Sequence, residues 1–187
     1  MDKKRLLIDF DDVICEDVMI KKVNKFLGTN LTINDFTDYL IDSVIPEDKK
    51  DEFYATLADI HYYDDCCLVD GAKEVLEKLN EKYDVFIVSS CIIYNYLEVS
   101  SYVFASKYNF LLKNLPFLDP KKFVFTASKQ LLKGDIIIDD YFSNLKGDIP
   151  QKFLFTAYHN KHFTEEQLKE RNVFRLNDWK DIEKALL

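Results

Sequence analysis

Residues 5–13 read RLLIDFDDV, a short apolar run that ends in three aspartates, Asp9, Asp11 and Asp12. Residues 135–140 read DIIIDD and repeat the arrangement, with Asp139 and Asp140 after three isoleucines. Apolar runs of this length, bounded by polar residues, predict short buried strands. If the two strands are parallel neighbours, their carboxyl ends meet at one edge of a sheet, and the two acidic clusters converge there.

Further apolar runs indicate that these two strands belong to a larger sheet. Runs of strand length occur at residues 85–89, 123–125, 153–155 and 173–176. Helical patterns separate most of them: one that Asp70 is expected to cap, a longer one marked by Leu97, Phe104 and Leu111, and a last one capped by Asn177. This alternation predicts an α/β, Rossmann-like three-layer core with a parallel sheet covered on both faces.

The segment over residues 15–67 does not follow this alternation. It has the pattern of two or more helices, one over residues 18–27 and another that opens at Pro46. Because the segment directly follows the first strand, we expect a small helical cap above the sheet edge where ligands bind. The predicted core domain then comprises residues 1–14 and 68–187.

The composition excludes several classes of site and partner. The chain has 187 residues, and its formal charge of −8 makes nucleic acid and anionic membranes poor partners. It contains only four glycines, and the closest pair, Gly134 and Gly147, lies 13 positions apart. A P-loop and the dinucleotide-binding fingerprint both need closely spaced glycines and are therefore excluded. Any phosphate must be bound without a glycine-rich loop.

The four cysteines and the N-terminal residues predict a cytoplasmic protein. The cysteines form no CxxC pair, which favours free thiols over a disulfide or zinc framework. Only three apolar residues separate the basic N-terminus from Asp9, too few for a signal peptide, and no run is long enough to span a membrane. The oligomeric state is left open by the sequence, a homodimer included.

The paired acidic clusters favour a metal site over two solvated acidic loops. So many converging carboxylates would repel one another unless a cation lay among them, and Mg²⁺ prefers such oxygen ligands. Ser89 ends one predicted strand and Lys129 lies ten residues before Asp139, so both could bind phosphoryl oxygens at the same edge. His159 and His162 favour a structural role over a second metal site, since no cysteine or further histidine lies near them in sequence.

The motif IDFDDV, Ser89, Lys129 and IIIDD, in this order, resemble the four motifs of the haloacid dehalogenase superfamily. Within it the chain is similar to the 5'(3')-deoxyribonucleotidases, or cytosolic type C 5'-nucleotidases, which hydrolyse nucleoside monophosphates. The segments that carry this resemblance are DVFIVSS (84–90), FTASKQLLKGDIIIDD (125–140), LFTAYHN (154–160) and DWKDI (178–182). The resemblance extends from Lys4 to Leu186 and is weaker in the cap.

The resemblance implies a role for each motif residue. Asp9 would be the nucleophile that forms an aspartyl phosphate, and Asp11 the general acid and base. Mg²⁺ would be held by the Asp9 carboxylate, the Asp11 backbone carbonyl and Asp139. Phosphoryl oxygens would be bound by Ser89, Ser90 and Lys129, and Lys129 would also tether Asp9. Asp140 would orient the metal site without binding the ion directly. The substrate would be a nucleoside monophosphate.

The sequence departs from the family pattern at three positions. The family usually has glycine where this chain has Asp12, an arginine where it has Ala127, and an aromatic residue where it has Asp17. Four cap aromatics, Phe36, Tyr39, Tyr62 and Tyr63, could stack on a base or belong to the core. These departures bear on which nucleotide base the protein prefers more than on the chemistry of phosphate removal.

Two other functions remain as alternatives at this stage. One is a phosphatase of the same superfamily that acts on another small phosphomonoester. The other is a receiver-type signalling module, which also gathers Asp, Ser or Thr, and Lys around Mg²⁺. A receiver has its phosphoacceptor in mid-chain and its lysine last, whereas here Lys129 precedes Asp139 and Asp140, so the receiver is disfavoured.

Overall fold

The structure is a computed structural model that describes residues 2–187, and its centre is a six-stranded sheet. The chain forms the strands β1 (Arg5–Ile8), β2 (Cys15–Glu16), β3 (Cys67–Leu68), β4 (Asp84–Ser89), β5 (Phe123–Phe125), β6 (Ile136–Asp139), β7 (Gln151–Phe155) and β8 (Val173–Leu176). Its helices are α1 (Val18–Leu27), α2 (Lys50–Thr56), α3 (Ala72–Lys82), α4 (Leu97–Asn114), α5 (Glu165–Glu170) and α6 (Trp179–Leu186).

The order of the strands in the main sheet brings the two acidic motifs together. The order is β5-β4-β1-β6-β7-β8, and every neighbouring pair is parallel. Ile8 at the end of β1 pairs with Ile87 of β4 on one side and with Ile138 of β6 on the other. The residues that follow or end these three strands therefore meet at one edge.

Alternating residues of β1 face two different hydrophobic clusters, as expected for a sheet covered on both faces. Leu6 and Ile8 pack in the larger cluster with side chains of α3, α4 and α6, whereas Leu7 packs in a smaller one that includes Leu168 of α5. The predicted α/β fold with a three-layer core and a helical insertion after the first strand is confirmed.

The cap segment, residues 15–67, carries α1, α2 and three short 3-10 helices. Its two ends pair as an antiparallel ribbon, with Cys15 opposite Leu68 and Glu16 opposite Cys67. The division into this segment and a core over 1–14 and 68–187 stays an interpretation, and Met1 lies outside the described residues. No helix within residues 2–187 combines the length and the apolar character needed to cross a membrane.

The expectation of four free thiols is wrong for one pair. Cys15 and Cys66 form a disulfide with a Cα–Cα distance of 6.2 Å, and Cys67 and Cys91 are free. The β2–β3 ribbon brings these two positions together although they are 51 residues apart in sequence. Their spacing in the sequence carries no signal of this contact.

Local structure differs from prediction at three helices. The residue that precedes α3 is Gly71, with φ of +77°, where the sequence favoured Asp70. The residue that caps α6 is Asp178, where the sequence favoured Asn177, and its side chain accepts a hydrogen bond from the Asp181 amide. On α4, the expected inner residues Leu97 and Phe104 are exposed. The inner face instead carries Val99, Val103, Phe110 and a wholly buried lysine, Lys107.

Candidate active site

A cavity of about 720 Å³ lies at the carboxyl ends of β1, β4 and β6, between the sheet and the cap segment. The polar residues on its sheet side include Asp9, Asp11, Asp12, Ser89, Ser90, Thr126, Lys129, Asp140 and Asn144. The cap segment contributes Tyr39, Tyr54, Tyr62 and Tyr63. The cap segment also contributes charged side chains, so the roof of the cavity is both aromatic and charged: Glu16, Asp17, Asp42, Glu47 and Lys50.

Asp9 is fixed at the base of the cavity by β1 and by Lys129. Its backbone amide donates to the Ile138 carbonyl, which extends the pairing of β1 with β6. Its Oδ1 accepts from the Phe10 amide at 2.7 Å, and its Oδ2 lies 2.7 Å from Lys129 Nζ. Burial alone would lower the pKa of Lys129, but Asp9 and Asp139 together outweigh burial and raise that pKa above its usual value. The lysine therefore stays charged.

Asp9, Asp139 and Asp140 form a buried acidic cluster, with carboxylate oxygens within 4.8 Å of one another. Burial and then Asp9 raise the pKa of Asp139 to about 6, although Lys129 acts in the opposite direction. Burial, followed by the charges of Asp9, Asp139 and Asp12, raises the pKa of Asp140 well above its usual value. Three buried carboxyl groups that share one lysine are a donor set suited to a divalent cation with oxygen ligands.

Asp140 is anchored to a histidine on the far side of the cluster. Its Oδ2 lies 2.7 Å from His159 Nε2, and its backbone carbonyl accepts from the Asn160 side chain. Burial and then His162 lower the pKa of His159 to about 4. The imidazole is thus neutral at pH 7 and is hydrogen-bonded to Asp140. Asp12 lies close to the same pair.

Asp11 is turned away from this cluster and is held by two other residues. Its Oδ2 accepts from Lys107 Nζ at 2.6 Å, and its Oδ1 accepts from the Tyr63 hydroxyl at 2.8 Å. Burial, followed by the charge of Asp11, raises the pKa of Tyr63 well above its usual value, so the hydroxyl keeps its proton and donates. The Asp11 side chain is still 46% exposed, towards the cavity that it lines.

Ser89 is the last residue of β4, Ser90 follows it, and both share Lys107 with Asp11. Lys107 Nζ donates to the Ser89 hydroxyl at 2.6 Å and to the Ser90 carbonyl at 2.8 Å. The Ser89 hydroxyl also lies 3.4 Å from Asp11 Oδ2, whereas the Ser90 hydroxyl accepts from the Ile92 amide at 3.3 Å. Both serines line the cavity.

Lys107 was not among the residues predicted from the sequence. A signal for it exists, because Lys107 lies four residues after Val103 and three before Phe110, on the buried stripe of α4. A lysine on an apolar stripe needs a buried partner, and here it has three.

Comparison with known proteins decides the family. A family model described as "5' nucleotidase, deoxy (Pyrimidine), cytosolic type C protein" matches residues 3–187. A provisionally named 5'(3')-deoxyribonucleotidase of Staphylococcus aureus is 30% identical over 189 residues, which cover 100% of this chain and 97% of that protein. The chain belongs to the 5'(3')-deoxyribonucleotidase family.

Two further comparisons agree with this membership. A 5'(3')-deoxyribonucleotidase of Clostridium acetobutylicum is 26% identical, covering 96% of this chain and 92% of that one. The solved structure of a haloacid dehalogenase-like hydrolase from Streptococcus pneumoniae superimposes with a TM-score of 0.56 at 15% identity, covering 99% of both chains. The resemblance to the superfamily and to the family is confirmed, and the protein is a 5'(3')-deoxyribonucleotidase-like phosphatase.

The three departures from the usual deoxyribonucleotidase pattern all line the cavity. Asp12 has φ of +56°, a left-handed conformation that favours glycine. Burial and then Asp11 raise the pKa of Asp12 to about 8. Asp17, with φ of +67°, precedes α1, and Ala127 offers the cavity only a methyl group.

Aromatic side chains surround the upper part of the deoxyribonucleotidase cavity. Of the four cap aromatics predicted as candidates, Tyr39, Tyr62 and Tyr63 line it. Tyr62 and Tyr63 also belong to the core cluster, as does Phe36, which does not line the cavity. The core contributes Tyr96, Tyr141 and Tyr158, which the sequence had not singled out. Tyr96 stacks on Tyr54 of α2 at 3.9 Å between ring centroids, and the Tyr158 hydroxyl donates to the Tyr39 carbonyl.

Proposed function

We propose that this protein is a Mg²⁺-dependent phosphatase that removes phosphate from nucleoside 5'-monophosphates, with deoxynucleotides preferred, through an aspartyl-phosphate intermediate. The observation that carries the proposal is the Asp9 carboxylate, held by Lys129 within a buried acidic cluster at the base of a cavity that the cap segment lines with aromatic and charged side chains. Such a carboxylate can attack phosphorus, and the cavity has room for a nucleoside above it.

In the first half-reaction an Asp9 oxygen forms a bond to phosphorus while the bond between phosphorus and the sugar oxygen breaks. The electron pair stays on the sugar oxygen, which takes a proton from Asp11, protonated at the start of this step, and leaves as the nucleoside hydroxyl. Lys129 holds Asp9 and offsets phosphoryl charge, and Ser89 and Ser90 bind phosphoryl oxygens.

In the second half-reaction water attacks phosphorus and the bond to Asp9 breaks. Asp11, now ionised, takes a proton from this water, so that inorganic phosphate leaves and both aspartates return to their starting forms. One residue therefore acts first as acid and then as base.

The acidic cluster fits a magnesium ion, which Asp9, the Asp11 backbone carbonyl and Asp140, a residue that lines the cavity, would hold. Asp139, the ligand expected from the sequence, has one carboxylate oxygen bound by Lys129 and the other by Asn144 and the Tyr141 amide, so it would orient the site instead. Bound there, Mg²⁺ would offset the negative charge between Asp9 and the anionic substrate. The raised pKa values of Asp139 and Asp140 support this proposal, because they show that the nearby positive charge does not balance the carboxylates.

A second candidate is a phosphatase for another small phosphomonoester. Ala127 and Asp17 favour it, because neither supplies the phosphate contact or the base contact that the family pattern implies at these positions. In either case we propose a small-molecule substrate and a cytoplasmic location; the family description supports the location, and the charge of −8 disfavours nucleic acid.

The test is phosphate release from a panel of deoxyribonucleotides, ribonucleotides and sugar phosphates, with Mg²⁺ and with a chelator. We expect turnover of nucleotides that requires Mg²⁺ and that Asp9→Asn abolishes. Faster turnover of sugar phosphates than of any nucleotide would favour the second candidate, and activity that survives Asp9→Asn would refute the nucleophile.

A further inference from the structure

Tyr63 contacts the acid/base candidate from the cap segment. Its hydroxyl donates to Asp11 Oδ1 at 2.8 Å, across 52 positions of sequence. Its ring packs edge to face on Phe10, with the centroids 5.3 Å apart, and its backbone amide donates to the Ser106 hydroxyl of α4. Packing and the backbone hydrogen bond thus set the position of the Tyr63 ring, and the Tyr63 hydroxyl hydrogen-bonds to Asp11.

Tyr63 and Lys107 bind different oxygens of the Asp11 carboxylate. Lys107 binds Oδ2 from α4, and Tyr63 binds Oδ1 from the cap segment. A carboxylate bonded through both oxygens to two separate elements cannot rotate without breaking a charge-assisted hydrogen bond. Its plane is therefore fixed relative to the cavity.

We propose that Tyr63 is a positioning residue that sets the orientation of Asp11, which binds a proton when the substrate enters and then transfers it to the leaving oxygen. This rests on the proposed function of Asp11 as general acid. Since Tyr63 belongs to the cap segment and Lys107 to α4, the orientation is complete only when the cap segment is seated on the core.

Substrates with different leaving groups distinguish a positioning role of Tyr63 from a packing role. A nucleoside leaves as an alkoxide and needs the proton from Asp11, whereas p-nitrophenolate leaves without one. The ratio kcat/KM reports the steps up to formation of the aspartyl phosphate, which includes departure of the leaving group. A misoriented Asp11 therefore lowers kcat/KM for nucleotides but not for p-nitrophenyl phosphate.

The experiment compares Tyr63→Phe with the unaltered protein on thymidine 5'-monophosphate and p-nitrophenyl phosphate. General acid catalysis typically contributes about 10²–10⁴ in rate, so loss of one of two contacts is expected to lower kcat/KM for the nucleotide roughly tenfold. The value for p-nitrophenyl phosphate is expected to stay within about twofold, and the nucleotide KM is expected to change much less than kcat.

The matched control is Tyr83→Phe, which removes another buried tyrosine hydroxyl, one that donates to the Leu186 carbonyl away from the cavity. An equal fall for both substrates in Tyr63→Phe would show a packing role and overturn the proposal, as would no fall for either. If the unaltered protein released no phosphate from the nucleotide, the proposed function itself would fail, and the positioning role with it.

Discussion

Two buried lysines of the site pair with different carboxylates. Lys129 binds Asp9 and Asp139, and Lys107 binds Asp11. Each lysine is almost wholly buried, so each depends on its partners as much as they depend on it. This division separates the proposed nucleophile from the proposed acid/base, although the two are only two positions apart in sequence.

Replacing Lys129 tests this pairing. Lys129→Met leaves Asp9 and Asp139 buried without their cation, so we expect a loss of about 3–5 kcal/mol in the free energy of unfolding without Mg²⁺, together with loss of activity. Denaturant titration measures the first and phosphate release the second. Lys133→Met, at an exposed position nearby, is the control and should change neither. A Lys129→Met protein of unaltered stability would contradict the account.

At the level of secondary-structure elements, the residue that caps α6 in the structure differs from the one that the sequence predicts. The sequence favours Asn177 as the cap, but the Asp178 carboxylate accepts from the Asp181 amide at 2.8 Å. Asn177 instead donates through its backbone and side chain to the Asp181 carboxylate. Both residues are polar and adjacent, so a choice between them requires the backbone conformation.

Substitutions at the start of α6 distinguish the two assignments. Asp178→Ala removes the cap and is expected to lower the free energy of unfolding by about 1 kcal/mol. Asn177→Ala keeps the backbone bond to Asp181 and should cost less. Thermal or denaturant unfolding of both variants gives the comparison, and a larger loss from Asn177→Ala would reverse the assignment.

Other features of the elements were accessible from the sequence to different degrees. All six strands of the main sheet follow from short apolar runs. The sequence predicted that Asp9 and Asp139 meet at one edge only if their strands are parallel neighbours, and the sheet order shows that they are. The inner face of α4 was misjudged, because Leu97 and Phe104 are apolar but exposed, and Lys107 is charged but buried. The Tyr63–Asp11 bond and the Cys15–Cys66 pair depend on how the cap segment packs, which no local pattern encodes.

For the whole molecule, the acidic cluster predicts an unusual dependence of stability on pH. A carboxyl group whose pKa is raised by folding keeps its proton where the unfolded chain has lost it, so stability falls as pH rises towards the folded pKa. The raised pKa values are about 6 for Asp139 and about 8 for Asp12. His159, with its pKa lowered to about 4, acts in the opposite direction, but only below its unfolded value near 6.5.

The clearest range is therefore pH 6.5 to 8, where His159 no longer contributes. Without Mg²⁺, the Tm is expected to fall across this range, and Asp12→Asn should remove much of the fall. Adding Mg²⁺ should raise the Tm more at pH 8 than at pH 6.5, because the ion binds ionised carboxylates. Scanning calorimetry at several pH values measures both effects. A Tm that rises with pH in the absence of Mg²⁺ would contradict the burial of these groups.

The most direct test of the central claim is to trap the phosphorylated enzyme. The protein is mixed with thymidine 5'-monophosphate and Mg²⁺, quenched with acid within the first turnovers, digested and mapped by mass spectrometry. We predict one phosphoryl group on the peptide that contains Asp9, and none in Asp9→Asn. Turnover without phosphate on Asp9, or with phosphate on another residue, would contradict the assignment of Asp9 as the nucleophile.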